Sequence, residues 1–557
     1  MNDSNKDNKQ QYDYQSPFEL GIIPIKPKKE AADVSVNLMH HEFKHSYYKP
    51  YIGKYLPDNK LKHKNIEQVI LTWKGFSKGR QYDRIAGVWL DGVEILRTST
   101  AEPTEQGIRW EFKVDVTRYC SLLYKERAVT VSLNNVVNEI YTASFLIDLS
   151  LEIYLNMNDH EAEKISLYKR PSDTIIGISQ FEQSSEPWFT LENNNSIKFK
   201  LPQTSSNIQR AILEVFITGH GKEEYFQFNT PEDFPKESDQ PKFGTLRELQ
   251  ISVNGIEAGV GWPFPVIFTG GVCPSLWRPI SGIGSFSTDP IRFELSQFVG
   301  DLIKNQNNEI ELLVSPSDSF WHVTGNLHLW DGEGGINNNS GMISSSDLKF
   351  PIFPKVRTSI EGSVYAFKTG VERIYHQKGF IDMEDYRIKV ETTRKLILQH
   401  NLRINKDKFL RVYDFSVNTI SETKFLKIPA YFGNNEEEIE KSGIELHKES
   451  HQSKWKFFGN TIHEKFDNNL FLINAELSAN TVLKDHINND LTKELKLNLC
   501  SSGKFGRRPN EPYTIDGSSE GDVSYWNKND SFNQSYKRKV ETKHGWVTAD
   551  KIDSNIS

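Results

Sequence analysis

Gly79 to Phe112 reads GRQYDRIAGVWLDGVEILRTSTAEPTEQGIRWEF, and its period and its turn decide the fold. Val88 and Leu90 fall on one face at period two, Asp91-Gly92 supplies the two positive-φ residues of a type I′ turn, and Val93 and Ile95 resume the alternation. The stretch predicts a β-hairpin. Its charges sit at the strand ends, with Asp83 and Arg84 ahead of the hairpin and Arg97, Glu102 and Glu105 behind it. Core packing asks for no acid at these places, whereas strand ends and the loops beyond them are where sites are built.

Outward from the hairpin the chain keeps the same style. Short alternating runs begin at Ile66 (IEQVILTW), Ala128 (AVTVSL), Phe145 (FLIDLSLEIYL), Ala211 (AILEVFITG), Leu249 (LQISVNGIEAG) and Ile310 (IELLVS). Runs of this length bounded by Gly, Asn, Asp and Pro predict an all-β protein. The order of parts also repeats. Strand, Asp91-Gly92 turn, strand, then WEFKVDVTRYCSLL and AVTVSL in the first half correspond to strand, Asn254-Gly255 turn, strand, then IRFELSQFVGDLI and EIELLV in the second. In each copy an extended run enters a short helical turn, with Thr117 or Ser296 placed to cap it.

The predicted organisation is a disordered arm over 1–34, tandem β-sandwiches over 35–160 and 161–345, and a C-terminal β-rich domain over 346–557. The arm is assigned on its polar, Lys- and Asn-rich composition, which buries too little to offset the entropy of ordering. KFLRVYDFSV and TKFLKIPAYF are the clearest strands of the last domain.

Composition excludes several functions. A net charge of -7 leaves no basic surplus for phosphate backbones, so nucleic acid is not expected as a partner. No window approaches the roughly 18 apolar residues of a membrane helix, and MNDSNKDNKQQYDYQ has no apolar signal core. The chain as written is therefore expected to be soluble and without a secretory signal. Cys120, Cys273 and Cys500 allow one bridge at most. The sequons, among them Asn194 and Asn533, are what chance gives in so Asn-rich a chain. His41-Glu42-Phe43-Lys44-His45 matches a zinc-helix pattern, but the aromatic, proline-broken SYYKPYIGKYLP follows at once, so no metal site is expected. His322 and His328 fall on the polar face of an alternating strand and read as structural or site-lining.

Several long motifs occur in one order: Arg80 to Arg84 with the loop Thr98 to Thr104 (TSTAEPT), Phe43 to Pro57, Trp262 to Pro279 (WPFPVIFTGGVCPSLWRP) and Gly325 to Trp330 (GNLHLW). Together they resemble the peptide-N-glycosidase A family, amidases that remove N-linked glycans from asparagine. The resemblance is strong over about 40 to 335 and implies two jelly rolls with the site at their junction. It further implies N-glycosylated peptides or proteins as substrates, no cofactor, and a secretory or vacuolar setting that conflicts with the amino terminus. The closing strands are also similar to the family's, with Ser535 where members often have Cys.

Tyr82-Asp83-Arg84 before a strand is similar to the bacterial peptide-N-glycosidase F, which implies that Asp83 is the principal catalytic carboxylate, with Arg84 as its charge partner. In His220-Gly-Lys-Glu-Glu-Tyr-Phe, Glu224 matches a family Glu and is the second catalytic candidate, with His220 beside it. Glu102, Trp262, Trp277 and Arg278 are candidate substrate contacts, the two indoles as sugar platforms and Arg278 as a ligand of the carbonyl or core sugars. A further acid of peptide-N-glycosidase F is not matched, since Asn134 and Asn135 stand where it is sought. A catalytically silent, glycan-binding protein on the same fold is the alternative.

Overall fold

The computed structural model describes residues 14–62, 64–156, 166–181, 186–231, 243–332, 340–405, 410–429, 443–465, 471–507, 514–528 and 533–555. Strands Ile85–Leu90 and Val93–Ser99 form the expected hairpin, and Asp91 (φ 46°) and Gly92 (φ 79°) make its turn. Asn254 (φ 51°) and Gly255 (φ 79°) make the corresponding turn between Glu248–Val253 and Ile256–Gly261.

The first unit is a sandwich of two four-stranded antiparallel sheets. One runs Val34–Phe43, Phe145–Leu155, Ile66–Ser77, Ile108–Asp115, and the other Tyr51–Tyr55, Arg127–Leu133, Ile85–Leu90, Val93–Ser99. Counted along the chain these orders are 1-8-3-6 and 2-7-4-5, the jelly-roll connection. The second unit repeats both. Phe189–Glu192, Phe320–Asp331, Ile208–His220 and Ile291–Glu294 make one sheet, to which Thr174–Ile178 adds itself. Ser196–Lys200, Glu309–Ser315, Glu248–Val253 and Ile256–Gly261 make the other.

Alternation in the hairpin predicted one buried face, yet Ala86–Leu90 and Val93–Ser99 are buried throughout, because the outer face of the hairpin lies on the second jelly roll. There Arg97 and Glu94, both with side chains at 0 % exposure, form a two-pronged ion pair at 2.8 Å for each prong. Arg97 Nη1 donates on to the His322 carbonyl (2.7 Å) and to Thr218 (3.2 Å). The Asn326 amide meets both backbone groups of Glu94. A buried charge is tolerable only when paired and hydrogen-bonded in this way.

The third unit is one antiparallel sheet of eleven described strands, running from Ser340–Ser346 to Trp546–Ser554. The described parts of KFLRVYDFSV and TKFLKIPAYF, 410–417 and 423–429, expected as two strands, belong to the single strand Leu410–Pro429, and the rest of both stretches lies outside the described residues. The inner face of this sheet packs on the second jelly roll, and their buried residues form one continuous core. Phe264 meets Trp455 with ring centres 4.0 Å apart, and Phe228 meets Tyr413 at 4.1 Å. The first jelly roll has its own core.

Two local expectations are corrected. Thr117 and Ser296 do not cap their helical turns, whose caps are Val116 and Leu295. Their hydroxyls instead accept the N–H of Val69 and of Ala211, joining the turn to a strand in each repeat. The disordered arm does not extend to residue 34. Residues 14–33 are placed, Phe18 pairs with Ile280, Leu20 is buried, and the Glu19 carboxylate accepts the N–H groups of Gly284, Phe286 and Ser287. A few apolar side chains with ready-made pockets order a segment whose composition alone would not. Cys120, Cys273 and Cys500 are all free thiols.

Candidate active site

The loop that leads into the hairpin carries Asp83, and the TSTAEPT loop that leaves it carries Glu102. Both are clasped by the loop that follows strand Ile256–Gly261. Thr269 accepts the Glu102 N–H (3.1 Å) and donates to the Thr100 carbonyl (2.9 Å), while the Gly270 N–H donates to Asp83 Oδ2 (2.8 Å). A Cβ at position 270 would sit 2.8 Å from Glu102 Oε2 and 3.1 Å from Asp83 Oδ1, so a larger residue there would push the two carboxylates aside. Two carboxylates therefore flank one backbone position. The third comes from the second jelly roll, where the 3₁₀ turn Gly221–Phe228 follows strand Ile208–His220 and presents Glu224 and Tyr225.

Electrostatics join the three acids. Burial is the main cause that raises Asp83, opposed by the Gly270 N–H and the Arg84 charge. Glu102 is pushed up to about 7, first by burial and further by Asp83, with Arg278 pulling the other way. Glu224 is also pushed up to about 7 by burial and by Asp83, with a hydrogen bond from Tyr225 opposing. Asp83 accepts the Gly270 N–H, whereas Glu102 Oε2 makes no hydrogen bond among the described residues. Like charges this close cannot all ionise together near neutrality. The cluster thus combines three carboxyl groups that burial pushes up, Glu102 and Glu224 to about 7, with Asp83 the one that accepts the Gly270 N–H.

A cavity of about 380 Å³ opens against this cluster, with Glu102, Gly270, Tyr225, Gln81, Tyr82 and Tyr141 on its inner side. That volume is in the range of small-molecule sites. Asp83 adjoins it through Gly270, and Glu224 through Tyr225.

The other candidates are placed differently. Arg84 does not pair with Asp83; its guanidinium donates to Gln81 (2.7 Å) and to Tyr47 (3.3 Å) and acts on Asp83 at longer range. Trp262 and Trp277 are 5 % and 2 % exposed, and their N–H groups are spent on Glu248 and on the Gly271 carbonyl. They plug the end of the second jelly roll and offer no face to a sugar, which corrects the platform expectation. Arg278 lies behind Glu102, donating to its carbonyl (3.2 Å) with Tyr14 across its guanidinium (4.7 Å), so it holds Glu102 and does not line the cavity. His220 is partly buried against Phe268, Phe320 and His322, hydrogen-bonded to Thr218 (2.8 Å), and held neutral, its pKa lowered to about 3 by burial. Glu223, the neighbour of Glu224, is spent on a buried pair with Arg247 at 2.5 Å.

Asn135 is a structural residue, its amide donating to Phe43 and Ala143. The third carboxyl beside Asp83 and Glu224 is that of Glu102. Tyr225 and Gly270 were not singled out by the sequence, although both stand inside quoted motifs. His41 lies within strand Val34–Phe43, so the helix that the zinc pattern needs is absent there.

Comparison with known proteins gives the family. Residues 23–348 match the family model described as peptide N-acetyl-beta-D-glucosaminyl asparaginase amidase A. A peptide-N4-(N-acetyl-beta-glucosaminyl)asparagine amidase A from Prunus dulcis is 30 % identical over 409 residues, covering 71 % of each chain. Among solved structures, a recombinant peptide:N-glycanase F aligns with 54 % of this chain and 96 % of its own, at 13 % identity and a TM-score of 0.35. PNGF-II aligns with 59 % of this chain and 68 % of its own, at 15 % identity and a TM-score of 0.32.

Proposed function

The chain belongs to the peptide N-acetyl-beta-D-glucosaminyl asparaginase amidase A family, and from that premise we propose that it hydrolyses the amide between asparagine and the first N-acetylglucosamine of N-glycopeptides, leaving aspartate and a glycosylamine. The enzyme class is that of a peptide-N4-(N-acetyl-beta-glucosaminyl)asparagine amidase. The observation that carries the finer reading is the three-carboxyl cluster beside the cavity. Amide hydrolysis needs a base for water and an acid for the leaving nitrogen, and the cluster offers one of each.

Asp83, whose carboxylate accepts the Gly270 N–H, is the base. It takes a proton from a water whose oxygen attacks the amide carbon. Glu224, which holds its proton to about pH 7, gives that proton to the nitrogen as the carbon–nitrogen bond breaks. Glu102 touches the substrate from the far side of Gly270, with Arg278 as the residue that positions it.

Digestion of one N-glycopeptide in heavy-oxygen water tests the reading. The product peptide should carry an aspartate with one solvent oxygen, and Asp83→Asn should lower kcat by at least about 100-fold, the scale of a positioned acid or base. Asparagine that keeps one N-acetylglucosamine would mean a glycosidic bond was cut. Binding with no turnover would favour the silent glycan-binding alternative. Full activity in Asp83→Asn would move the centre to another carboxylate.

A further inference from the structure

The cavity has a second wall that belongs to neither jelly roll and lies outside residues 23–348. Four strands of the long sheet end over it, contributing Arg411, Tyr413, His463, Phe471, Ile473 and Phe505. Pairing puts these on one face: Arg411 stands opposite Thr461, His463 opposite Ile473, and Ile473 opposite Phe505. Positions two apart on each strand share that face. Further along it, Phe415, Phe457 and Leu477 are buried core. The face that covers the second jelly roll therefore runs past it, and its last row overhangs the carboxylates.

We propose that this row binds the sugar next to the scissile amide, an N-acetylhexosamine, so that the C-terminal sheet is part of the substrate site. The proposal rests on the amidase reading above. The peptide varies from one glycoprotein to another, whereas the first sugar is the fixed part of the substrate, and a wall built on rigid strands matches a fixed shape. An N-acetylhexosamine has a C–H face and an acetamido methyl that gain by leaving water against rings, and oxygens that accept from N–H donors.

Phe471, Ile473 and Phe505 supply the apolar surface, and Arg411 and His463 the polar edge. Burial and the Arg411 charge lower the pKa of His463. Phe471 is 37 % exposed and meets His463 edge-on at 5.8 Å. Across the cavity, Tyr82 is 48 % exposed beside Tyr141. These are the open rings that Trp262 and Trp277 are not.

The test measures binding of chitobiose, the N-acetylglucosamine disaccharide, and of the sugar-free peptide to the full chain carrying Asp83→Asn. Adding Phe471→Ala or Phe505→Ala should weaken the disaccharide about tenfold and leave the peptide unchanged, while Phe471→Tyr keeps the affinity and an unchanged Tm shows that the fold is intact. In the active enzyme the same changes should raise KM for the glycopeptide by a similar factor, with kcat within about twofold. Loss of peptide affinity alone would assign the wall to the peptide and overturn the proposal. Unchanged binding of both, in an enzyme that turns over glycopeptide, would reduce the wall to scaffold. A wild-type chain that binds the disaccharide and cleaves nothing would overturn the amidase reading and leave the sugar wall standing.

Discussion

Glu102 illustrates what the cluster costs the fold. In the unfolded chain its carboxyl ionises near the ordinary value of 4.5, and in the folded chain near 7, because burial and Asp83 both oppose the charge. Below about pH 4.5 both states keep the proton and the group is neutral to folding. As pH rises from there to about 7 the unfolded state ionises first, so stability is progressively lost, on the order of 3 kcal/mol in all at 1.36 kcal/mol per unit. Glu102→Gln keeps the shape and cannot ionise. It should therefore be as stable as the parent at pH 4 and more stable by roughly 2–3 kcal/mol at pH 8, measured by urea unfolding at the two pH values. A variant less stable than the parent at pH 8 would contradict the burial argument. Glycopeptide turnover should fall in the same variant, since a site that is strained for function trades stability for activity.

Among elements, the arm is the one whose composition misleads. Its residues 14–20 reach two distant parts of the chain: the Gln15 N–H donates to the Gly545 carbonyl, and the Phe18 N–H donates to the Pro279 carbonyl, one residue from Arg278. Leu20 is 3 % exposed and belongs to the core shared by the second jelly roll and the long sheet. Leu20→Ala removes buried methyl groups from a site closed on several sides and should cost about 2–4 kcal/mol. Chemical denaturation would read it directly. A change within about 0.5 kcal/mol, the usual size for surface substitutions, would mean that the arm rests on the surface without holding it.

For the whole molecule, the continuity of the core sets what can be removed. Second-jelly-roll side chains reach the long sheet through Phe226 and Phe415, Tyr168 and Phe425, and the buried Arg210 with Glu449. Arg373 of the sheet pairs in return with buried Glu248 (3.2 Å). A chain ending at residue 348 would expose this apolar face, take Glu449 from Arg210 and leave buried Glu248 without its arginine. These are costs that folded domains do not sustain. Such a truncation should lose its cooperative unfolding transition and self-associate, seen by near-UV circular dichroism and size exclusion. A soluble monomer with a sharp transition would show that the sheet is an independent appendage.

By itself the sequence determined the strands, the two turns and the repeat, because alternation and the Asp-Gly and Asn-Gly turn chemistry act between near neighbours. It also named Asp83 and Glu224 through motif resemblance, and their loops do converge. Tertiary packing alone decided which side chains face the cavity. Trp262, Trp277 and His220 look like ligand contacts in a string of letters, but the direction of a ring depends on what packs behind it. The same holds for Glu102, whose place beside Asp83 depends on Gly270 bringing a distant loop against it. It holds as well for Arg97 and Glu94, whose pairing at full burial becomes necessary only when the second jelly roll closes over the hairpin. The sheet wall at Phe471 was out of reach for the same reason: period two tells which residues share a face, and only the docking of that face on another unit tells where its last row ends.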